Sequence, residues 1–240
     1  MKIRYRQATA ENDGACADSS LHARLSGPML VGASIAVILL TAGCAQHNSV
    51  SSTRPILGPA PSVHQNTQIP VGPGPTNYTH QAQPAPGSCH YRKASDGQPL
   101  PDPVCTPGAV NPKVTPEDIA TTICKSGYTG SIRPAQGITD TEKKGNAQSY
   151  AYTGDLGQAE YDHLISLELG GDPNDPRNLW VEPPSPGHQA KDGVNNPKDQ
   201  VENKLHTLVC GGKVALADAQ YAIATDWTTA LAVVGHPDGK

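Results

Sequence analysis

Apolar and polar positions alternate in recognisable patterns along only part of this 240-residue chain. Residues 28–44, PMLVGASIAVILLTAGC, form an apolar run ending in small residues. It is shorter than a spanning helix requires and has the form of a signal-peptide core. Residues 45–88 carry Pro, Gly, Ser, Thr, Asn and Gln with hardly a charge and no apolar period, which predicts a disordered, polyproline-leaning linker. In VTPEDIATTIC, Thr115 with Pro116 and Asp118 predicts a short capped helix that places Ile119 and Ile123 on one face. Residues 128–152 show no convincing period and are read as irregular. Two strand-like runs follow, residues 162–169 and 178–182, joined by the turn-rich GGDPNDPR. In KDQVENKLHTLVC, Val201, Leu205, Leu208 and Val209 lie on one helical face, with Gly211 and Gly212 as the stop. A second helix over residues 214–231 aligns Leu216, Ala219, Ile223 and Trp227, and Trp227 is read as core.

Composition narrows this to one domain, residues 89–235. There is no Phe, there are two Trp, and Pro and Gly number 23 and 24, so the core must come from Leu, Ile, Val and Ala. So modest a supply goes with covalent staples. Of six Cys, Cys16 falls in the leader, and Cys44 ends LTAGC, which resembles a bacterial lipobox. Residues 1–44 are therefore expected to be a signal peptide, with Cys44 lipidated and the mature protein exported to the outer face of the membrane or secreted. Cys89, Cys105, Cys124 and Cys210 remain, an even set with no C-x-x-C pair, which suits two disulfides in an oxidising compartment. Three connectivities are open, and Cys89–Cys105 with Cys124–Cys210 is put forward. The missing C-x-x-C also speaks against a thiol redox enzyme, and the lack of G-x-S-x-G against a serine hydrolase.

The chemistry concentrates in YDHLISLELGGDPNDPRNLWVEPPS, where an Asp-His pair opens an apolar run. Buried polar groups need partners, so the pair calls for hydrogen bonds or a metal. DHLISL, Gly170-Gly171 and Asn178-Leu179, followed by a helix, resemble the ββα-metal motif of HNH nucleases. The chain departs from that motif where the family has Pro and this sequence has Ser166, and in the long link from Asn178 to the helix. CTPGAVNP, TTIC, GYTGSIRP, DHLISLELGG, PRNLWVEP, KDQVENKLHTLVC and AQYAIATDW together look like a family of small exported bacterial HNH-like proteins.

The resemblance implies an α+β fold and a metal-dependent endonuclease acting on DNA or RNA, working as a monomer. A histidine titrating near neutrality suits removal of a proton from water, which makes His163 the expected general base. A divalent cation, Mg with Mn or Zn as alternatives, would stabilise charge on the phosphate, with Asp162 as a hard oxygen ligand. Asn178 would orient the base. The second metal ligand is expected near the helix start, with His188, Asn195, Asn196 and Asp199 as candidates, Asn195 or Asn196 favoured and His188 next. Glu202 is read as either a support of that site or a surface group. A catalytically silent envelope-binding module on the same scaffold is the alternative. It draws on the charge balance from residue 89 onward, 13 Lys and Arg against 19 Asp and Glu, where nucleic-acid binding ordinarily needs basic surface. Arg133, Lys143, Lys144, Arg177, Lys198 and Lys204 are the residues that would have to supply it.

Overall fold

A computed structural model describes residues 68–192 and 197–238. The leader, Cys44, Asn195 and Asn196 lie outside the described residues. Among those described, no helix is long and apolar enough to cross a membrane. The described residues form an α+β architecture with two small antiparallel sheets and five α-helices. Strands β1 (Arg92–Lys93) and β2 (Pro99–Leu100) form one sheet, and β3 (Glu160–His163) and β4 (Leu179–Glu182) the other. Helices α1 (Tyr128–Ile132) and α2 (Gln136–Ser149) precede β3, while α3 (Lys198–Cys210), α4 (Leu216–Asp226) and α5 (Ala230–Val233) close the chain.

The first predicted strand stops at His163, short of Leu169. Leu164, Ile165, Leu167 and Leu169 are all buried, so the apolar run signals a segment enclosed on every side, and Leu167–Leu169 coils into a 3-10 turn. Short runs of this kind read alike whether extended or coiled. Ser166 precedes that turn at φ −61°. A proline imposes nearly this angle, so the backbone at Ser166 is one that a proline could also adopt. The second strand begins at Leu179, with Asn178 ending another 3-10 turn, Pro176–Asn178.

The amphipathic pattern of α3 is realised, with Leu205, Leu208 and Val209 buried against Leu216, Ala219, Ile223 and Trp227. The last predicted helix is divided at residues 227–229. There the Asp226 carboxylate accepts from the Thr228 amide (2.9 Å) and hydroxyl (2.6 Å), ending α4, while Trp227 donates its indole N–H to the Pro99 carbonyl (3.0 Å). Two expectations are corrected. Residues 116–127 form successive turns in place of a helix, because the backbone bonds there mix their spacings: Thr121 and Lys125 reach back three residues, to Asp118 and Thr122, Thr122 reaches back four to Asp118, and Cys124 reaches back five to Ile119, so no regular helical ladder is built. Residues 136–149, read as irregular, form α2. Its buried positions are Glu142, Asn146, Ala147 and Ser149, three of them polar, so no apolar stripe marks it.

Disulfides join Cys89 to Cys105 and Cys124 to Cys210, the pairings put forward above. The linker boundary also needs correction, since its C-terminal part is tied to the domain. The Val110 amide donates to Pro70, Gly72 donates to the Val110 carbonyl, and Gly74 donates to the Asp172 carboxylate. Further along, Tyr78 bonds Ile132, Gln81 bonds Glu142, Gln83 bonds Asn146, and the Cys89 amide reaches Ser149. A polar, Pro-rich segment can thus be ordered by hydrogen bonds without burying an apolar face. Each such bond contributes about 1 kcal/mol, largely offset by the cost of ordering the backbone. A chain starting at Cys89 is expected to be on the order of 2 kcal/mol less stable than one starting at Pro61, a gap that thermal melting of the two would read as several degrees.

Candidate functional site

Antiparallel pairing sets Glu160 opposite Glu182, Tyr161 opposite Val181, Asp162 opposite Trp180 and His163 opposite Leu179. Because side chains alternate along a strand, Glu160, Asp162 and Glu182 share one face, and Tyr161 and His163 belong to the other. Helix α3 brings Lys198 and Glu202, one turn apart, to the carboxylate face. The Lys198 ammonium lies 2.7 Å from Asp162 Oδ2, donates to the His163 carbonyl at 2.9 Å, and pairs with Glu202 Oε1. Trp180 Nε1 also donates to Asp162 Oδ2, at 3.2 Å.

Lys198 is 1% exposed. Burial alone would lower its pKa, but Asp162, Glu202 and Glu182 outweigh that and hold it above the ordinary lysine value. Burial pushes Glu182 and Glu202 well above the usual carboxylate range, and the Asp162 charge adds to this at both. Glu182 Oε2 is buried with no hydrogen-bond partner.

These contacts decide how a divalent cation would fit between Asp162 and the start of α3. The space is taken by an ammonium, and Asp162 Oδ2 is already shared between that ammonium and an indole N–H. The donor set there does not fit the ion as it stands. His188 bonds Gln158 Oε1 through Nε2 at 3.0 Å, a partner unconnected with Asp162. A second cluster, Cys124, His206 and Cys210, has its ligand atoms within 4.8 Å of one another, but its two sulfurs are bonded to each other and His206 Nε2 is engaged by the Ile123 carbonyl.

His163 is 7% exposed, with Nε2 3.0 Å from the Pro173 carbonyl. A carbonyl only accepts, so Nε2 carries the proton and Nδ1 keeps its lone pair. Burial depresses the pKa to about 4, opposed by the Pro173 carbonyl and assisted by the Arg133 charge. The ring is therefore neutral at pH 7.

Asn178, fully buried, spends its amide on the surrounding backbone. Its oxygen accepts from Ile165 (3.0 Å) and Ala109 (3.4 Å), and its nitrogen donates to the Ile165 and Asp172 carbonyls (both 3.0 Å). Asp172 precedes Pro173, so the Asn178 amide fixes the peptide whose neighbour orients the imidazole. Asp172 adds its own clasp, with Oδ1 accepting from the amides of Asn174 (3.0 Å) and Asp175 (2.9 Å).

The depressed histidine has a consequence for stability. Between its unfolded value near 6.5 and its folded value of about 4, the unfolded chain binds a proton that the folded chain refuses, so this contribution is complete above pH 6.5 and is lost as pH falls. Glu182 and Glu202 act in the opposite sense, since their raised values let the folded state bind protons first. A His163→Gln variant isolates the histidine: its stability relative to wild type should improve steadily from pH 6.5 to 4, as urea midpoints at matched pH would show.

The six basic residues considered for a nucleic-acid surface divide in two. Lys143 donates to the Leu156 and Ala159 carbonyls, both at 2.7 Å, Arg177 pairs with Asp175 at 2.5 Å, and Lys198 is buried. Arg133, Lys144 and Lys204 are exposed. Glu182 escaped the sequence reading altogether, and Lys198 entered it only as a surface charge. Lys and Glu at i, i+4 on a helix ordinarily mark a solvated pair, and nothing in the sequence distinguishes this one from that. No family model matches this chain, and neither a curated protein nor a solved structure matches it.

Proposed function

We propose that this chain is an exported phosphodiester hydrolase acting on nucleic acid in the manner of HNH-like nucleases, with His163 as general base. The observation that carries the reading is the tautomer of His163. Nε2 is committed to the Pro173 carbonyl, which leaves an unprotonated Nδ1 on a ring that stays neutral at physiological pH. Such a nitrogen can accept the proton of a water attacking phosphorus. Asn178 and Asp172 hold the loop that presents the carbonyl and are positioning residues. Arg133, exposed and close enough for its charge to act on the His163 ring, is the cation suited to grip a phosphate oxygen. The two disulfides suit an oxidising compartment, and nucleic acid outside the cytoplasm is the substrate that goes with it.

The second reading, a silent binding module on the same scaffold, is favoured by the Lys198 ammonium at Asp162 and by the internal engagement of Lys143 and Arg177. Plasmid nicking by the full chain separates the two, run with Mg²⁺, Mn²⁺ or EDTA. Wild type should convert supercoiled to open-circular DNA. His163→Ala should lower the rate at least ~100-fold with an unchanged circular-dichroism spectrum, and Arg133→Ala should weaken binding and flatten the salt dependence. A folded wild type that cleaves under none of these conditions would leave the binding module as the reading.

A further inference from the structure

We propose that Lys198 is the resident cation of the site: its ammonium fills the cage made by Asp162, Glu202 and the His163 carbonyl, and it excludes a divalent metal from that place. The inference takes up the site of the hydrolase reading, but its readout is cation binding rather than turnover, so either can fail without the other.

The cage is built from oxygens, the donors a hard cation takes. It comprises two carboxylates and a backbone carbonyl, contributed by β3 and by the first two turns of α3. Its spacing is that of an ammonium. Nζ to Asp162 Oδ2 and to the His163 oxygen are 2.7 and 2.9 Å. Mg²⁺ needs about 2.0–2.1 Å and Ca²⁺ about 2.3–2.6 Å. A second, independent feature points the same way. Glu182, on the same sheet face as Asp162, is 2% exposed and keeps Oε2 buried with no partner. With the ammonium gone, Asp162, Glu182 and Glu202 are the carboxyl groups left on that side of the sheet, and Glu182 Oε2 is committed to nothing else. Lys198 enters from the first residue of α3 and is sealed in, so the ammonium does not yield its place to an ion while the helix is docked.

Two statements follow. Wild type does not take up a divalent ion between Asp162 and α3. Shortening the side chain removes the ammonium and leaves the carboxylates, which then form a divalent site.

The experiment uses the full chain with Mn²⁺ as probe. Free Mn²⁺ is counted by electron paramagnetic resonance, and the melting temperature is recorded in Mn²⁺ and in EDTA. Wild type should give the free-ion signal and one melting temperature in both. Lys198→Ala should melt low in EDTA and recover by roughly 5 °C in Mn²⁺ at a hundredfold excess over Kd. Adding Asp162→Asn to Lys198→Ala should abolish that recovery. Mn²⁺ bound by wild type and lost in Asp162→Asn would overturn the proposal, as would a folded Lys198→Ala that ignores Mn²⁺. If Lys198→Ala does not fold, the wild-type titration decides alone: a free-ion signal upholds the exclusion, and uptake that depends on Asp162 overturns it.

Discussion

Replacing Lys198 with methionine should lower the stability of the fold by about 3–5 kcal/mol at pH 7, the range for breaking a buried pair from one side. The volume is nearly conserved, so the loss is electrostatic. Asp162 Oδ2 retains only the Trp180 indole, Glu202 Oε1 loses its ammonium, and the His163 carbonyl loses a donor. The pH dependence distinguishes this from a packing defect. Glu182 and Glu202 already lie well above the carboxylate range through burial, and removing the ammonium pushes Glu202 further up. In the variant, the folded state therefore binds protons that the unfolded chain does not between its ordinary value near 4.5 and the raised values. The stability of the variant rises as pH falls through that window. Urea unfolding of both proteins at pH 7 and pH 5 should show the gap narrowing on acidification. An equal gap at both would assign the loss to packing alone.

Gly171→Ala should cost at least ~4 kcal/mol, in the range reserved for severe single-site defects. A Cβ placed on Gly171 would stand 1.7 Å from the Ile165 carbonyl oxygen and 2.7 Å from Asn178 Nδ2. Nothing flexible is available to move aside, since the first obstacle is backbone. That carbonyl is also an acceptor for Asn178, so relief of the clash would break the clasp that holds the Asp172 peptide. The same substitution at Gly187 meets open space. Gly187 has φ +81°, so the control carries only a local backbone penalty. Denaturant midpoints of the two alanine variants, with wild-type m-values retained, would test the contrast.

What could be read from the sequence divides along a physical line. The apolar faces of α3 and α4 were legible because burial there is apolar and periodic, and Trp227 declared itself as core for want of any Phe. The Asp-His pair and Gly-Gly marked the hairpin, and Asn178 stood out as a polar residue there, which the fold buries and hydrogen-bonds to backbone. Helix α2 was not, because its buried face is Glu142, Asn146 and Ser149, and burial satisfied by hydrogen bonds leaves no hydropathy signal. Lys198 and Glu182 were missed for a related reason: charge suggests surface until a partner from another element is in view. Asp162 could be singled out from its neighbours, but that its cationic partner is a lysine from α3 depends on how the helix docks.

The ordered segment over residues 68–88 also has a mechanical meaning. A pull on the N-terminal side would load its contacts in sequence, like a zipper: first the pairing of Pro70 and Gly72 with Val110, next Gly74 on Asp172, then the Thr79 carbonyl on Asn174. The last two grip residues on either side of Pro173, whose carbonyl sets the His163 ring. Peeling would reach that support before it reached Cys89, where the covalent bridge to Cys105 takes up the load. Tension would thus slacken the histidine's mooring while the remainder of the domain stayed folded.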